Sequence, residues 1–454
     1  GALAQDIIFI MLDTTRADSL EKLNLPNLQG IAKRGVIYKN AVSDGTYTLT
    51  SHASLFLNEK VIEHKKVFSN LAKLLNGKNK ISIKKMTLAD KLAAYGYNTA
   101  LISNNLFLNV RNGLAQGFNY VDNVFVNKRL VKWDIRTQLI LDFLLNKRLF
   151  EFGIKSASGI IKLIPNKQRN ALYLKSREVM SKAVTYYNQD LRLDKGANLT
   201  NSLVRQYADK NKDNKNFIFI NYMETHEGYP VADVPQDKWL YMAGIYDNEN
   251  IRKLKDAYNK RFVYLDKKIG QLLQILKTKG LLEDAELIIA GDHAQAFMEH
   301  NELYHGLFPY EEITNIPLIT AKFINSKQVS QRKEVYERVA LSDLHDAILN
   351  TVYGFELEIK PKEKTVYSMH TKITEQDFQL LNLLKGKIKY ANMIYKAKQK
   401  YNKFALAVYQ NDYKLIHYFG RQPDELYNLS VDKAETENLF FKEREISHRM
   451  LNAI

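Results

Sequence analysis

Two apolar runs in the sequence end abruptly in side chains that can bind a metal ion. The run from Leu287 to Ala290 leads into Asp292 and His293, and the run from Ile7 to Leu12 ends at Asp13. Such runs predict strands buried on both faces, and open α/β sheets bind ligands beyond the carboxyl ends of their strands. Carboxylate oxygen and imidazole nitrogen together suit a divalent cation. The alternative is that Asp292 caps a helix beside an incidental histidine.

These stretches resemble motifs of a known family. The sequence LDTTRAD at residues 12–18 is similar to the opening motif of the sulfatase family in the alkaline phosphatase superfamily, and GDH at residues 291–293 resembles its distal metal motif. The resemblance implies that Asp13, Asp292 and His293 hold one divalent metal ion. Ligation rich in oxygen with one imidazole suits Ca²⁺, Mg²⁺ or Mn²⁺, and the sequence does not choose among them.

The segment TYTLTSHASLF at residues 46–56 resembles the family segment C/S-x-P-S-R-A-S-L, with Thr48 at the nucleophile position. Thr50 replaces the proline and His52 the arginine. Sulfatases of the usual kind oxidise cysteine or serine here to formylglycine, which threonine cannot form. The resemblance therefore implies that Thr48 is a metal ligand and acts as an alkoxide nucleophile, as in the family's phosphodiesterases and phosphoglycerol transferases of the lipoteichoic-acid type. Without the resemblance, a threonine-rich helix cap would be the simpler interpretation.

Polar residues after two further predicted strands complete the candidate site. The resemblance implies that Asn105 and His226 contact the ester oxygens, and that His305, about a dozen residues before a proline, contacts the substrate and donates a proton to the leaving oxygen. His300 is a weaker candidate for that donor. His64 is interpreted either as a neighbour of the site or as a structural histidine.

The elements that must position these residues predict an α/β fold. Buried strands alternate with amphipathic helices, one of them over Tyr258 to Lys277, and Gly291 is expected to turn the chain at the end of its strand. The resemblance implies a large, mostly parallel sheet sandwiched by helices and a small C-terminal antiparallel sheet. We predict a catalytic domain over residues 1–390, with a helical insertion at about 123–215, and a C-terminal subdomain over residues 391–454.

Composition narrows the classes of function. The 454 residues include no cysteine, which excludes disulfides, thiolate metal sites and a formylglycine made from cysteine. The net charge of +16 favours anionic partners, namely phosphate or sulfate esters, anionic lipid surfaces or nucleic acid. Of these we predict a small anionic ester as substrate, with an anionic membrane surface as a further partner, and we do not expect nucleic acid. Solvated lysines are the alternative explanation. No run has the apolar length of a membrane helix and no signal peptide is recognised, so the chain is expected in the cytoplasm or, after leader removal, outside it.

Four functions fit these observations. The main prediction is a metal-dependent hydrolase that cleaves a phosphate ester or diester through Thr48. The alternatives are a sulfatase acting on sulfate esters without formylglycine, a phosphoglycerol-type transferase, and a catalytically silent member that binds anions. The last alternative rests on two departures from the family pattern, namely His52 and Thr14, which stands where sulfatases usually carry a second carboxylate.

Overall fold

The computed structural model describes residues 5–58, 85–105, 107–110, 113–123, 193–229, 232, 234–361, 365–369, 390–401, 404–420 and 422–454. His64 and residues 124–192 of the predicted helical insertion lie outside the described residues.

The strands are β1 (Asp6–Leu12), β2 (Val36–Tyr38), β3 (Ala41–Val42), β4 (Asn98–Ser103), β5 (Tyr120–Asn123), β6 (Asn216–Tyr222), β7 (Asp284–Gly291), β8 (Ala296–Phe297), β9 (Leu303–Tyr304), β10 (Leu318–Ile324), β11 (Lys327–Gln328), β12 (Lys333–Val335), β13 (Val339–Ala340), β14 (Thr365–Met369), β15 (Ala405–Gln410), β16 (Tyr413–Tyr418) and β17 (Glu425–Asn428). The helices are α1 (Ala17–Lys22), α2 (Pro26–Ala32), α3 (Thr48–Leu57), α4 (Leu88–Ala94), α5 (Ala197–Asn211), α6 (Lys238–Met242), α7 (Asn248–Thr278), α8 (Glu311–Thr314), α9 (Leu344–Val352), α10 (Ala391–Tyr401) and α11 (Arg444–Leu451), with a 3₁₀ turn at Leu341–Asp343.

A nine-stranded sheet forms the centre of the fold. Its order is β12-β2-β10-β7-β1-β6-β4-β5, and β11 pairs with β10. All pairings in the run β7-β1-β6-β4-β5 are parallel, whereas β10 is antiparallel to β7. Helices pack on both faces of this sheet. The predicted fold class, a large and mostly parallel sheet between helices, is confirmed.

The two faces of β1 explain why its sequence is apolar without interruption. Ile8 and Ile10 belong to the core that contains α2, α5 and α7, whereas Phe9 and Met11 belong to the core that contains α3, α4 and α9. Every residue of β1 is buried. Alternate side chains of a strand point to opposite faces, so a central strand with two covered faces needs apolar residues at nearly every position.

Helix α7 is longer than predicted and anchors a second helix. It begins well before the predicted Tyr258, because the Asp247 carboxylate accepts a hydrogen bond from the Asn250 N–H and caps it. Farther along α7, Asp266 accepts a 2.8 Å hydrogen bond from the Leu28 N–H in the first turn of α2. A buried carboxylate thus satisfies the free N–H groups of α2 and fixes it on the sheet.

Gly291 has a different role from the one expected. It remains the last residue of β7, paired with Leu12, and its φ is not positive. A Cβ atom at this position would lie 3.1 Å from Cδ of Pro317 and 3.1 Å from the carbonyl oxygen of Thr15. The close approach of two neighbouring segments, and not a turn, therefore requires glycine at the strand end.

The small sheet at the C-terminal end is antiparallel, with the order β14-β15-β16-β17. As predicted, β15 and β16 form a hairpin, and its turn contains Asn411 at a φ of 53°. The first strand, β14, comes from residues before the predicted boundary at residue 391. The sheet therefore includes chain from both sides of that boundary, and the division into 1–390 and 391–454 stays a prediction.

Candidate active site

Four adjacent strands of the large sheet end at one edge, and a predicted site residue follows each of them. Parallel strands present their carboxyl ends on the same side, so residues far apart in sequence meet there. The residues that follow β7, β1, β6 and β4 are, respectively, Asp292 with His293, Asp13, His226 and Asn105.

Asp13, Asp292 and His293 form a buried cluster that fits a divalent cation. One ligand atom from each lies within 4.8 Å of the others. His293 Nε2 is 3.4 Å from Asp292 Oδ2 and 3.9 Å from Asp13 Oδ1. Asp292 Oδ2 and His293 Nε2 are buried without a hydrogen-bond partner. Nδ1 of this imidazole is 3.0 Å from the carbonyl oxygen of Ala294, which places its proton on Nδ1 and leaves the Nε2 lone pair for a metal ion.

Thr14 orients both carboxylates of this cluster. Its backbone has a φ of 61°, in the left-handed region, and its N–H donates to Asp292 Oδ1 at 3.0 Å. Its hydroxyl donates to Asp13 Oδ1 at 2.7 Å. The residue that replaces the second carboxylate of the sulfatase pattern is thus a hydrogen-bond donor to the remaining two, and the site carries one negative charge fewer.

Burial and neighbouring charges shift the pKa values of both carboxylates in the cluster. Burial raises the pKa of Asp292 to about 7, and the neighbouring Asp13 adds to this rise. Burial also acts to raise the pKa of Asp13, but the charges of His226 and His293 hold it below its ordinary value. Two carboxylates this close repel one another when both are ionised, and a bound cation removes that repulsion.

Thr48 is the first residue of α3 and lies beside this cluster. Its hydroxyl donates to Asp13 Oδ2 at 3.4 Å, and the Asn105 side-chain amide donates to Thr48 Oγ1 at 3.3 Å. The same amide donates to Asp13 Oδ2 at 2.6 Å. The start of α3 also places the positive end of the helix dipole at this hydroxyl, which favours its ionised form.

His52 stands one turn farther along α3, where the sulfatase pattern has arginine. Its Nδ1 is 2.8 Å from the carbonyl oxygen of Thr48 and 3.8 Å from Asp292 Oδ2. Burial lowers the pKa of His52 to about 4, so the imidazole is neutral near pH 7. The replacement therefore removes a fixed positive charge from the neighbourhood of Thr48.

His226 and His305 come together on the other side of the cluster. Their ring centroids are 5.1 Å apart, and the His305 ring is 4.3 Å from that of His293. Burial, with the charges of His293 and His226, lowers the pKa of His305 well below its ordinary value. The predicted alternative, His300, does not join this group: it stacks on Tyr310 with centroids 3.8 Å apart.

Three residues of the site were not identified from the sequence. Glu227 lies between two imidazoles, with Oε2 3.1 Å from Nδ1 of His226 and 3.3 Å from Nδ1 of His305. Lys195 donates to the carbonyl oxygens of His226 and Glu227, and Lys238 donates to that of His305 at 2.9 Å. Glu227 could have been found as the neighbour of His226. The two lysines come from distant segments, and no motif marks them.

Comparison with known proteins supports the same family. Arylsulfatase K of Mus musculus is 23% identical over 233 residues, which cover 47% of this chain and 40% of that protein. Arylsulfatase K of Rattus norvegicus is 20% identical over 407 residues, which cover 84% of this chain and 65% of that protein. The chain thus matches less than two thirds of the length of either relative.

A similar architecture occurs in the crystal structure of a phosphonate monoester hydrolase of Agrobacterium radiobacter. The TM-score is 0.63 at 14% identity, and the match covers 99% of this chain and 94% of that chain. At this identity the likeness shows the fold alone. The sequence model of the Sulfatase family, however, matches residues 5–354, a range that contains every predicted site residue and most of the chain. This protein therefore belongs to the sulfatase family.

Proposed function

We propose that this chain cleaves a phosphate ester, and in particular a diester, by attack of the Thr48 hydroxyl on phosphorus. The observation that carries the proposal is the position of Thr48 Oγ1, 3.4 Å from Asp13 Oδ2 and 3.3 Å from the Asn105 amide, beside a cluster that fits a divalent cation. Threonine cannot become formylglycine, so the hydroxyl itself must supply the nucleophile.

The residues that would hold a Ca²⁺, Mg²⁺ or Mn²⁺ ion are Asp13, Thr48, Asp292 and His293. When bound there, such a cation would lower the pKa of the Thr48 hydroxyl and offset the negative charge of the ester. Three oxygen ligands and one imidazole are compatible with all three ions. The two free atoms of the cluster, Asp292 Oδ2 and His293 Nε2, support this assignment because both are buried and unpartnered.

In the proposed reaction, Thr48 Oγ1 loses its proton to water and forms a bond to phosphorus while the bond from phosphorus to the leaving alcohol breaks. Asn105 holds the nucleophile in place through its amide. The imidazole of His226 donates to the non-bridging oxygens, and that of His305 gives its proton to the leaving oxygen. An anionic ester beside His305 would raise the low pKa of this ring and so favour the protonated form. Water, or a second alcohol in a transferase, then attacks phosphorus while the bond from phosphorus to Thr48 Oγ1 breaks. The proton of the attacking hydroxyl passes to His305, which restores its protonated form.

Hydrolysis of a sulfate ester by the same alkoxide is the second candidate. It is favoured by the similarity to arylsulfatase K. The family and its relatives act on anionic esters, so the charge of the substrate is common to both candidates. A silent, anion-binding protein is the third, because His52 and Thr14 depart from the family pattern. The net charge of +16 keeps an anionic membrane surface as a predicted partner, although no helix in the described ranges is long and apolar enough to cross a membrane.

The test compares initial rates on bis-p-nitrophenyl phosphate, p-nitrophenyl phosphate and p-nitrophenyl sulfate, each with Mn²⁺, Mg²⁺, Ca²⁺ or EDTA. Wild type is compared with Thr48→Ala and with Thr50→Ala, a matched truncation two residues along α3. We expect metal-dependent diester cleavage that falls at least about 10³-fold in Thr48→Ala and stays within about threefold of wild type in Thr50→Ala.

Other results separate the alternatives. If p-nitrophenyl sulfate is the fastest substrate and its turnover depends on Thr48, the sulfatase replaces the phosphate proposal. A phosphoryl-glycerol product in the presence of glycerol would identify a transferase. Equal diester rates in wild type and Thr48→Ala would refute Thr48 as the nucleophile. No turnover of any of the three esters, with phosphate binding unchanged in Thr48→Ala, would favour the anion-binding protein.

A further inference from the structure

We propose that His226, Glu227 and His305 bind a second divalent cation next to the cluster of Asp13, Asp292 and His293. We call the three residues the outer cluster. The inference goes beyond the proposed function and does not depend on it, because binding of the ion can be measured without any turnover.

The separations within the outer cluster are those of ligands around one ion. Glu227 Oε2 is 3.1 Å from His226 Nδ1 and 3.3 Å from His305 Nδ1, and one ligand atom from each of the three residues lies within 4.8 Å of the others. Bonds of about 2.0–2.2 Å from a metal ion to nitrogen or oxygen, at tetrahedral or octahedral angles, place neighbouring ligand atoms about 3.0–3.5 Å apart. A cation can therefore enter with small movements of the side chains.

Two atoms of the outer cluster lack hydrogen-bond partners. Glu227 Oε2 and His305 Nδ1 are both buried, and neither makes a hydrogen bond of acceptable geometry despite their separation of 3.3 Å. Most buried polar atoms in folded proteins are partnered, and an unpartnered one costs free energy. A shared cation would satisfy both atoms. His226 Nδ1 would exchange its long contact with the carbonyl oxygen of Glu227, at 3.4 Å, for a bond to the ion as the third ligand.

Two lysine side chains hold the backbone that carries the outer cluster. Lys195 donates to the carbonyl oxygens of His226 and Glu227, and Lys238 donates to that of His305. These contacts fix the segments after β6 and β9, and they direct both ammonium groups to carbonyl oxygens. Metal sites depend on such supporting hydrogen bonds, which keep the ligands in place before the ion arrives.

The ligand types indicate which ions would bind. Two imidazoles with one carboxylate suit a transition-metal ion such as Mn²⁺ or Zn²⁺ better than Ca²⁺, which prefers oxygen. Binding through Nδ1 leaves the Nε2–H of His226 and His305 as hydrogen-bond donors to substrate oxygens. With the second ion bound, His305 would therefore act at the leaving oxygen as a neutral hydrogen-bond donor and not as an imidazolium acid. Since the rings of His293 and His305 are 4.3 Å apart, the two ions would be neighbours.

The experiment measures bound Mn²⁺ per chain. The full chain is stripped with a chelator and dialysed against Mn²⁺, and the bound ion is quantified by mass spectrometry. We expect two ions in wild type, one in Glu227→Gln, one in Asp292→Asn and none in the double variant. Glu249→Gln, which changes an exposed carboxylate paired with Lys253, should keep two. Circular dichroism and thermal melting establish that each variant is folded.

Electron paramagnetic resonance then reports where the ions are. Two adjacent Mn²⁺ ions broaden each other's spectrum, so wild type should show a coupled signal that both single variants lose. One ion in wild type, two in Glu227→Gln, or two uncoupled ions would each overturn the proposal. Failure of the nucleophile test for Thr48 would leave these stoichiometries unchanged, so the two proposals can fail separately.

Discussion

The Asn105 side-chain amide donates a 2.6 Å hydrogen bond to Asp13 Oδ2 and a 3.3 Å hydrogen bond to Thr48 Oγ1. One amide thus joins the ends of β4 and β1 to the start of α3. Its oxygen accepts from the Phe107 N–H at 2.9 Å, which fixes the orientation of the amide so that its NH₂ group faces the two partners.

Replacement of Asn105 should therefore affect the reaction more than the fold. Asn105→Asp retains the oxygen that Phe107 requires but converts the donor to a carboxylate, which repels an anionic ester. We expect kcat/KM for the diester to fall about 100-fold, with Mn²⁺ bound at least as tightly as in wild type. Steady-state rates and Mn²⁺ occupancy test this. Asn105→Ala loses the hydrogen-bond donor without gaining a charge, so it separates the two effects. An unchanged rate in both variants would contradict the role given to Asn105.

Thr14 offers a second test because it stands where sulfatases usually have a carboxylate. Thr14→Asp should destabilise the metal-free protein by about 2 kcal/mol, since a third carboxylate joins Asp13 and Asp292 in a buried site. It should also tighten Ca²⁺ binding roughly tenfold by adding an oxygen ligand. Thr14→Asn is the matched control, because asparagine has the same shape, tolerates the φ of 61° and adds no charge. Equal Ca²⁺ affinity of the two variants would show that the added carboxylate does not reach the ion.

Asp6 should contribute to the pH dependence of the free energy of unfolding. It is the first residue of β1, at the opposite end of this strand from the site. Burial raises the pKa of Asp6 to about 7, although it accepts hydrogen bonds from the N–H and side-chain amide of Asn216. Its pKa in the unfolded chain is near 3.8. The folded state therefore binds the Asp6 proton more tightly than the unfolded chain does. The resulting contribution to the free energy of unfolding is fully present below about pH 4 and is lost as pH rises to about 7.

Asp6→Asn retains an acceptor for Asn216 but cannot ionise. Relative to wild type, its free energy of unfolding should rise across this pH range by up to about 4 kcal/mol. Urea denaturation of both proteins at pH 5, 6, 7 and 8 measures the difference, in which the titration of other groups cancels. A difference that stays constant with pH would show that Asp6 is ionised throughout.

A buried ion cluster joins the small C-terminal sheet to α8. Lys414 in β16 is fully buried, with Nζ 2.7 Å from Glu435 Oε1 and 3.1 Å from Glu311 Oε1. Lys414→Met removes the ammonium group that pairs with both carboxylates and leaves the charge of Arg338 acting on Glu311, so it should destabilise the protein by about 3–5 kcal/mol. The double variant Lys414→Met with Glu435→Gln should recover part of this loss. Denaturant unfolding of wild type and the three variants, including Glu435→Gln alone, gives the coupling energy; strict additivity would exclude a direct interaction.

Much of the fold could be predicted because its elements have local signals. The apolar runs before Asp13 and Asp292 are central strands, and the hairpin around Asn411 is present in the small sheet. The length of α7 was underestimated, since its first two turns have only Ile251 and Leu254 as apolar residues that contact the core, and the cap at Asp247 marks their beginning. Gly291 was misinterpreted because its constraint is contact with Pro317, a residue 26 positions away whose proximity no local pattern reveals.

The sequence by itself determined the family, and its motifs singled out Asp13, Asp292 and His293 at the ends of two apolar runs, whereas the strand order that brings them to one sheet edge came from the tertiary structure. Only the tertiary structure decided which other side chains surround the site and support its backbone. Glu227 is placed between two imidazoles and Lys195 behind them by segments that are distant along the chain. Such contacts arise from packing of the whole domain, and distances of 3–4 Å between remote side chains leave no periodic or local trace in a sequence.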